Sequence, residues 1–168
     1  MERQIATTQE QSTRLLRCGV SADTADMSIR TITEPMIRDV AERETPLLLT
    51  MSYSSAKDIY RGDYVQPAWS LSALLGLLPK TIGDFWMTKW YAPNVDGFEI
   101  DDIENPYQLS GDFQLLHIGG GNYQVEYDWV GFRGKLPQSD NPIEACVLAI
   151  ELLVANDYKF NGTNENEQ

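Results

Sequence analysis

The segment NPIEACVLAIELLVA, residues 141–155, decides the fold because it carries the clearest helix signal in the chain. Asn141 is a favoured N-cap, Pro142 fits the first helical position, and Glu144 completes a capping box. Apolar side chains then recur at helical spacing as one unbroken stripe: Ile143, Cys146, Val147, Ile150, Leu153 and Val154. A helix of this kind is stable in a domain when another layer of structure covers its stripe.

A second helix is predicted in the segment PAWSLSALLGLLP, residues 67–79. Ser70 serves as its N-cap, and Pro79 stops it because the residue before a proline is disfavoured in helical conformation. Its apolar stripe comprises Leu71, Leu74, Leu75 and Leu78. Trp69 precedes the cap, where it is placed to pack back on the first turn. A further helix begins after Thr7 or Thr8, and Gly19 is placed to end it.

Four segments have the composition of strands: Leu47–Tyr53, Phe85–Tyr91, Phe113–Ile118 and Tyr123–Trp129. In Phe85–Tyr91 both faces are apolar, with Trp86 and Trp90 on one of them, which predicts a strand that is central or covered on both sides. The last two segments are predicted to form a hairpin, because the glycines at 119–121 accept positive φ.

These elements predict an α+β fold with an antiparallel sheet of about three to five strands. The two main amphipathic helices, Leu71–Leu78 and Ile143–Val154, are expected on one face of that sheet. We expect a single α+β domain over residues 1–160 and a disordered polar tail over 161–168. Residues 28–45 allow either a short helix at Pro35–Arg43 or a short β segment at Ile29–Thr33, and residues 92–111 are expected to form an acidic loop.

The chain is acidic, with 25 Asp and Glu against 13 Lys and Arg and a formal net charge of −12. Residues 1–61 contribute −1 to this balance and residues 62–168 contribute −11. Binding of nucleic acid or an anionic membrane gains free energy from clustered Lys and Arg, so both are disfavoured as direct partners. The acidic surface either keeps the chain soluble or docks a basic partner, one form of which is mimicry of nucleic acid.

No motif indicates catalysis, a cofactor or a metal site. Cys18 and Cys146 lie in separate predicted helices and are expected to be free thiols. His117 is the only histidine and lies in a predicted strand, where a structural role is more common than a catalytic one. The oxygen-bearing residues of the acidic loop lack the calcium-loop pattern of an EF-hand and are expected to be solvated: Asn94, Asp96, Glu99, Asp101, Asp102 and Glu104.

The N-terminal segment is polar and has no apolar region of the kind found in secretory signals. The longest uncharged run, Val65–Pro79, is too short and too interrupted to cross a bilayer. We therefore expect a cytoplasmic protein. Tryptophan and tyrosine are common anchors of protein interfaces, so an exposed Trp86, Trp90 or Trp129 would favour an interaction surface.

Three blocks together resemble a family of small proteins encoded by prophages and conjugative elements of gut anaerobic bacteria. They are QSxxLLxxGVxxxTADM at residues 11–27, PAWSLSALLxLLP at 67–79 and NPIEA at 141–145. The family has no established activity, so the resemblance implies a shared fold and a setting in a mobile element, and it assigns no site residues.

We therefore expect an accessory protein of such an element that is not an enzyme and acts by protein–protein interaction. Its acidic and aromatic surface would contact a host or phage protein, with no direct contact to nucleic acid or membrane. The alternative is a small-ligand-binding protein or an enzyme whose site is formed only in three dimensions.

Overall fold

The computed structural model describes residues 4–33, 45–94, 97–129 and 132–160. The described residues form four α-helices and seven strands, which group into two compact units that divide between Leu74 and Leu75. One antiparallel sheet has three strands and the other has four, so the predicted α+β class with a sheet of three to five strands is confirmed. The strands are divided between two sheets where the sequence predicted one. The single domain over 1–160 stays a prediction, and the tail at 161–168 lies outside the described residues.

The first unit begins with helix α1, Gln9–Arg17, whose N-cap Thr8 and residue Gln11 form a capping box. Gly19 follows the helix with φ +81°, as its predicted role in the cap requires. Its sheet has the order β2–β1–β3, with β1 at Met27–Thr31, β2 at Leu47–Leu49 and β3 at Tyr64–Ala68. Strand β1 agrees with the β alternative for residues 28–45, whereas the alternative helix at 35–43 lies outside the described residues.

The strand predicted at Leu47–Tyr53 is wrong beyond Leu49, because the Ser52 side chain caps a helix, α2, over Tyr53–Ile59. The backbone N–H of Ser55 donates to Ser52 Oγ at 3.4 Å. The helix predicted after Ser70 is present as α3, Leu71–Leu77, with the Ala73 N–H donating to Ser70 Oγ at 3.2 Å. Trp69 is fully buried, and its indole N–H donates to Thr24 Oγ1.

The second unit is a meander of four strands, β4 at Thr81–Asn94, β5 at Gly97–Ile118, β6 at Asn122–Trp129 and β7 at Phe132–Ser139. Helix α4, Pro142–Ala155, packs against β4, β6 and β7, and Asn141 caps it by accepting the Ile143 N–H at 2.9 Å. The predicted glycine hairpin joins β5 to β6, with Gly120 and Gly121 both at φ +81°.

The acidic loop predicted at residues 92–111 is wrong. Residues up to Asn94 continue β4, and β5 starts at Gly97 and runs through the whole acidic segment. The local composition disfavours a strand, but cross-strand pairs such as Tyr91 with Ile100 stabilise it. The strand predicted at Phe85–Tyr91 is also not central, because β4 is an edge strand of its sheet.

Strand β5 crosses close to β7 at Gly134, which is buried. A Cβ atom at Gly134 would overlap Leu109 Cδ2 and would lie 3.4 Å from Leu109 Cα. Leu109 is itself fully buried, so its side chain has little room to move. The absence of a side chain at Gly134 therefore permits this close approach of two strands.

We predict that Gly134→Ala lowers the free energy of unfolding by about 2 kcal/mol, the usual cost of inserting a methyl group into a packed core. Urea denaturation of the full chain measures the change. Gly83→Ala is the matched control, because a Cβ there meets nothing within 4 Å. Equal stability of the two variants would contradict the close approach.

Candidate functional site

The side chain of Asn156 links strand β4 to the end of helix α4 through hydrogen bonds. Its Oδ1 accepts the backbone N–H groups of Thr88 at 2.7 Å and Lys89 at 2.9 Å, and its Nδ2 donates to the Lys89 carbonyl at 3.2 Å. The same amide donates to the Leu152 carbonyl at 2.8 Å within the helix. Asn156 is 7% exposed, so all of these bonds form in a largely dry environment. The strand segment around Thr88 is thereby held in one position.

Strand β4 has an inner face that packs in the unit and an outward face that does not. On the inner face, Met87 is fully buried, the Phe85 ring meets Tyr158 edge-on at 5.3 Å, and Tyr91 Oη donates to Glu151 Oε2 at 3.1 Å. Alternate residues point to opposite sides of a regular strand, but the pairing of β4 with β5 is irregular between Met87 and Lys89, and the N–H groups of Thr88 and Lys89 both donate to Asn156 Oδ1. The shared face of Trp86 and Trp90 therefore stays a prediction.

The two tryptophans of β4 differ in exposure. Trp90 is half-buried, and its ring lies 6.0 Å from that of Tyr107. Trp86 is 57% exposed, although tryptophan has the largest side chain of the apolar residues. Of the three tryptophans considered as interface anchors, Trp86 thus meets the condition set for an interaction surface. The side chain of Trp129 lies outside the described part.

Polar residues surround Trp86. Its direct cross-strand partner is Gln108, which is exposed, and its neighbours two positions away on β4 are Asp84 and Thr88, also exposed. We call these four residues, Asp84, Trp86, Thr88 and Gln108, the outward face. Neither Asp84 nor Gln108 forms a side-chain hydrogen bond or ion pair with the described part of the chain.

The hairpin formed by β4 and β5 concentrates the negative charge. Residues 81–112 contain seven acids and one base, a formal balance of −6, which is half of the net charge of the whole chain. All six of the described carboxylates are exposed: Asp84, Glu99, Asp101, Asp102, Glu104 and Asp112. Asp84 is the acid on the outward face itself, and the remainder add a negative potential around it.

The candidates raised for catalysis and metal binding do not converge. His117 is exposed on β5, with its ring 4.9 Å from that of Tyr123, and the acidic side chains lie much earlier on the same strand. In the described ranges, no three His, Cys, Asp or Glu side chains are grouped so that they could hold a metal ion.

Both cysteines are free thiols, as predicted. Cys146 is fully buried in α4, and this burial raises the pKa of its thiol to about 12. Cys18 is half-buried at the end of α1. The thiolate is the reactive form of cysteine, so Cys146 is chemically inert in the native protein.

Within the described ranges, each unit has a cleft that could admit a small molecule. The first has a volume of about 230 Å³ and is lined by Lys57, Tyr60, Arg61, Asp63, Tyr64 and Val65. The backbone N–H of Thr33 and the Arg30 guanidinium hold the pKa of the Asp63 carboxyl below its usual value, so that carboxylate is already occupied. The second cleft, about 270 Å³, lies between residues 76–80 and 158–160.

No known family model, curated protein sequence or solved structure matches this chain. Among the described residues, no helix is long and apolar enough to cross a membrane.

We predict that Asn156→Ala destabilises the full chain by about 3 kcal/mol, because two backbone N–H groups of β4 lose their acceptor in a buried environment. Chemical denaturation measures the loss. Asn105→Ala, at an exposed position, is the control. A loss below 0.5 kcal/mol, the usual range of a surface change, would contradict the role of the amide.

We also predict that a thiol reagent at pH 8 modifies only Cys18 in the folded protein. The pH lies far below the raised pKa of Cys146, so the thiolate fraction there is negligible. Mass spectrometry should find one modification per native chain, two in denaturant and none in native Cys18→Ser. Rapid native modification of Cys146 would show that α4 is less well covered than described.

Proposed function

We propose that this chain is a non-enzymatic cytoplasmic accessory protein of a prophage or conjugative element, and that it binds another protein through the outward face. The single observation that carries the binding role is Trp86, which is 57% exposed on an edge strand. The setting in a mobile element rests on the resemblance of the three sequence blocks.

An exposed indole is costly in water and suited to binding. Tryptophan is strongly enriched among the residues that dominate binding energy at protein interfaces, because it buries a large area when it enters a pocket on a partner. Trp86 lies on a strand that Asn156 holds in position, so little conformational freedom remains to be lost on binding. Carboxylates around the indole make this surface negatively charged. A negative surface favours positively charged partners and speeds their association.

We predict that a protein retained by the tagged full chain from a lysate of gut anaerobic bacteria is lost when Trp86 is replaced by alanine. The bound proteins are identified by mass spectrometry at low and high salt. Loss at high salt is expected for a contact steered by exposed carboxylates, since salt screens such charges.

Tyr64→Ala is the matched control for this experiment. Tyr64 is an exposed aromatic residue with the same 57% exposure, but it lies on β3 in the first unit. The proposal requires that Tyr64→Ala retains the partner. If the retained proteins are the same for the wild type and both variants, the outward face is not the binding surface.

The alternative, a small-ligand-binding protein or an enzyme, is favoured by one observation, the cleft of about 270 Å³ in the second unit. Lys80 and Lys159 are exposed at this cleft, so an anionic ligand would suit it best. A ligand that binds only the native state raises the melting temperature as its concentration rises. A concentration-dependent shift with nucleotides or sugar phosphates that Lys80→Ala abolishes would favour this alternative.

A further inference from the structure

We infer that the partner presents arginine side chains, and that Trp86 and Asp84 together bind one of them. This inference rests on the proposed function and specifies the chemistry of the partner. It starts from an exposed indole and an exposed carboxylate two residues apart on an edge strand.

The charge of the hairpin determines the sign of the partner. Residues 81–112 carry a formal charge of −6 and their one base, Lys89, is half-buried. A polyanion such as nucleic acid, or an anionic lipid surface, would be repelled from this region. A cationic segment of a protein is attracted by the same field.

The geometry of the outward face distinguishes among cations. Asp84 precedes Trp86 by two residues and lies where the register of β4 with β5 shifts, between Ile82 and Phe85, and both side chains are exposed. A guanidinium group is planar, stacks on an indole face and still has N–H groups free to donate to a carboxylate. Lysine has a compact and strongly hydrated ammonium group, which meets one of these two demands at a time.

The Asp84 carboxylate is available for such a bond. It is exposed, and no described residue donates a hydrogen bond to it or forms an ion pair with it. Gln108, across the strand pair, is exposed as well and offers an amide oxygen beside the indole. The outward face therefore presents a flat aromatic surface with hydrogen-bond acceptors next to it.

The test uses two fluorescently labelled peptides of equal length and charge, one with alternating arginine and glycine and the other with alternating lysine and glycine. Their dissociation constants for the full chain are measured by fluorescence anisotropy at low and moderate salt. We expect the arginine peptide to bind at least threefold more tightly than the lysine peptide. A labelled single-stranded oligonucleotide of the same length is expected not to bind.

Variants assign the preference to its residues. Trp86→Leu keeps an apolar side chain but removes the aromatic face, and it should weaken arginine-peptide binding about three- to tenfold and abolish the preference over lysine. Asp84→Asn should weaken it about two- to fivefold. Tyr64→Leu and Asp23→Asn, at exposed positions in the first unit, should change neither affinity. Circular dichroism verifies that each variant is folded.

Equal binding of the two peptides, or an arginine preference that survives Trp86→Leu, overturns the inference. So does tighter binding of the oligonucleotide than of either peptide. The proposed function would still hold in these cases if retention of a protein from the lysate requires Trp86. Loss of that dependence, with the peptide preference intact, would instead count against the proposed function alone.

Discussion

The side-chain amide of Asn156 is the constraint on which the hairpin depends. One oxygen atom accepts two neighbouring N–H groups of β4, and the nitrogen of the same amide donates to carbonyl groups of both β4 and α4. A buried backbone N–H without an acceptor is costly, so the strand is stable where this amide meets it. The bonds lie between Trp86 and Trp90 in sequence, and therefore the helix end fixes the part of β4 that carries the outward face.

Strand β4 of the hairpin is an edge strand of its sheet. An exposed edge strand invites pairing with another chain, and natural proteins protect such edges with charged residues. On β4 itself only Asp84 and Lys89 are charged, and the other described carboxylates of the hairpin lie on β5. The hairpin therefore repels a second copy of itself, and attracts a cationic surface, through its net charge rather than through charges along the edge. Protection against self-association and selection of a partner would then come from the same carboxylates.

Sequence patterns predicted the elements whose signals are local. Asn141 and Pro142 start α4 where predicted, and the glycines at 119–121 form the predicted hairpin. The acidic segment could not be predicted as a strand, since Asp, Asn, Pro and Gly disfavour strands and the pairing partner, β4, is separate in sequence. Tyr123–Trp129 forms a strand as predicted, yet Gln124 and Glu126, which alternate with its apolar residues, are both buried. Local sequence patterns do not show that Trp86 is more exposed than Trp90, nor that Asn156 bonds to β4. Both features depend on residues that are distant in sequence and close in the fold.

The most direct test is hydroxyl-radical footprinting of the full chain, free and in complex with the protein retained from the lysate, with oxidation at each aromatic residue read by mass spectrometry. We expect Trp86 and Tyr64 both to be readily oxidised in the free chain, because they are equally exposed. In the complex, Trp86 should become protected while Tyr64 remains reactive. Slow oxidation of Trp86 in the free chain, or unchanged oxidation in the complex, would contradict an exposed binding surface at the outward face.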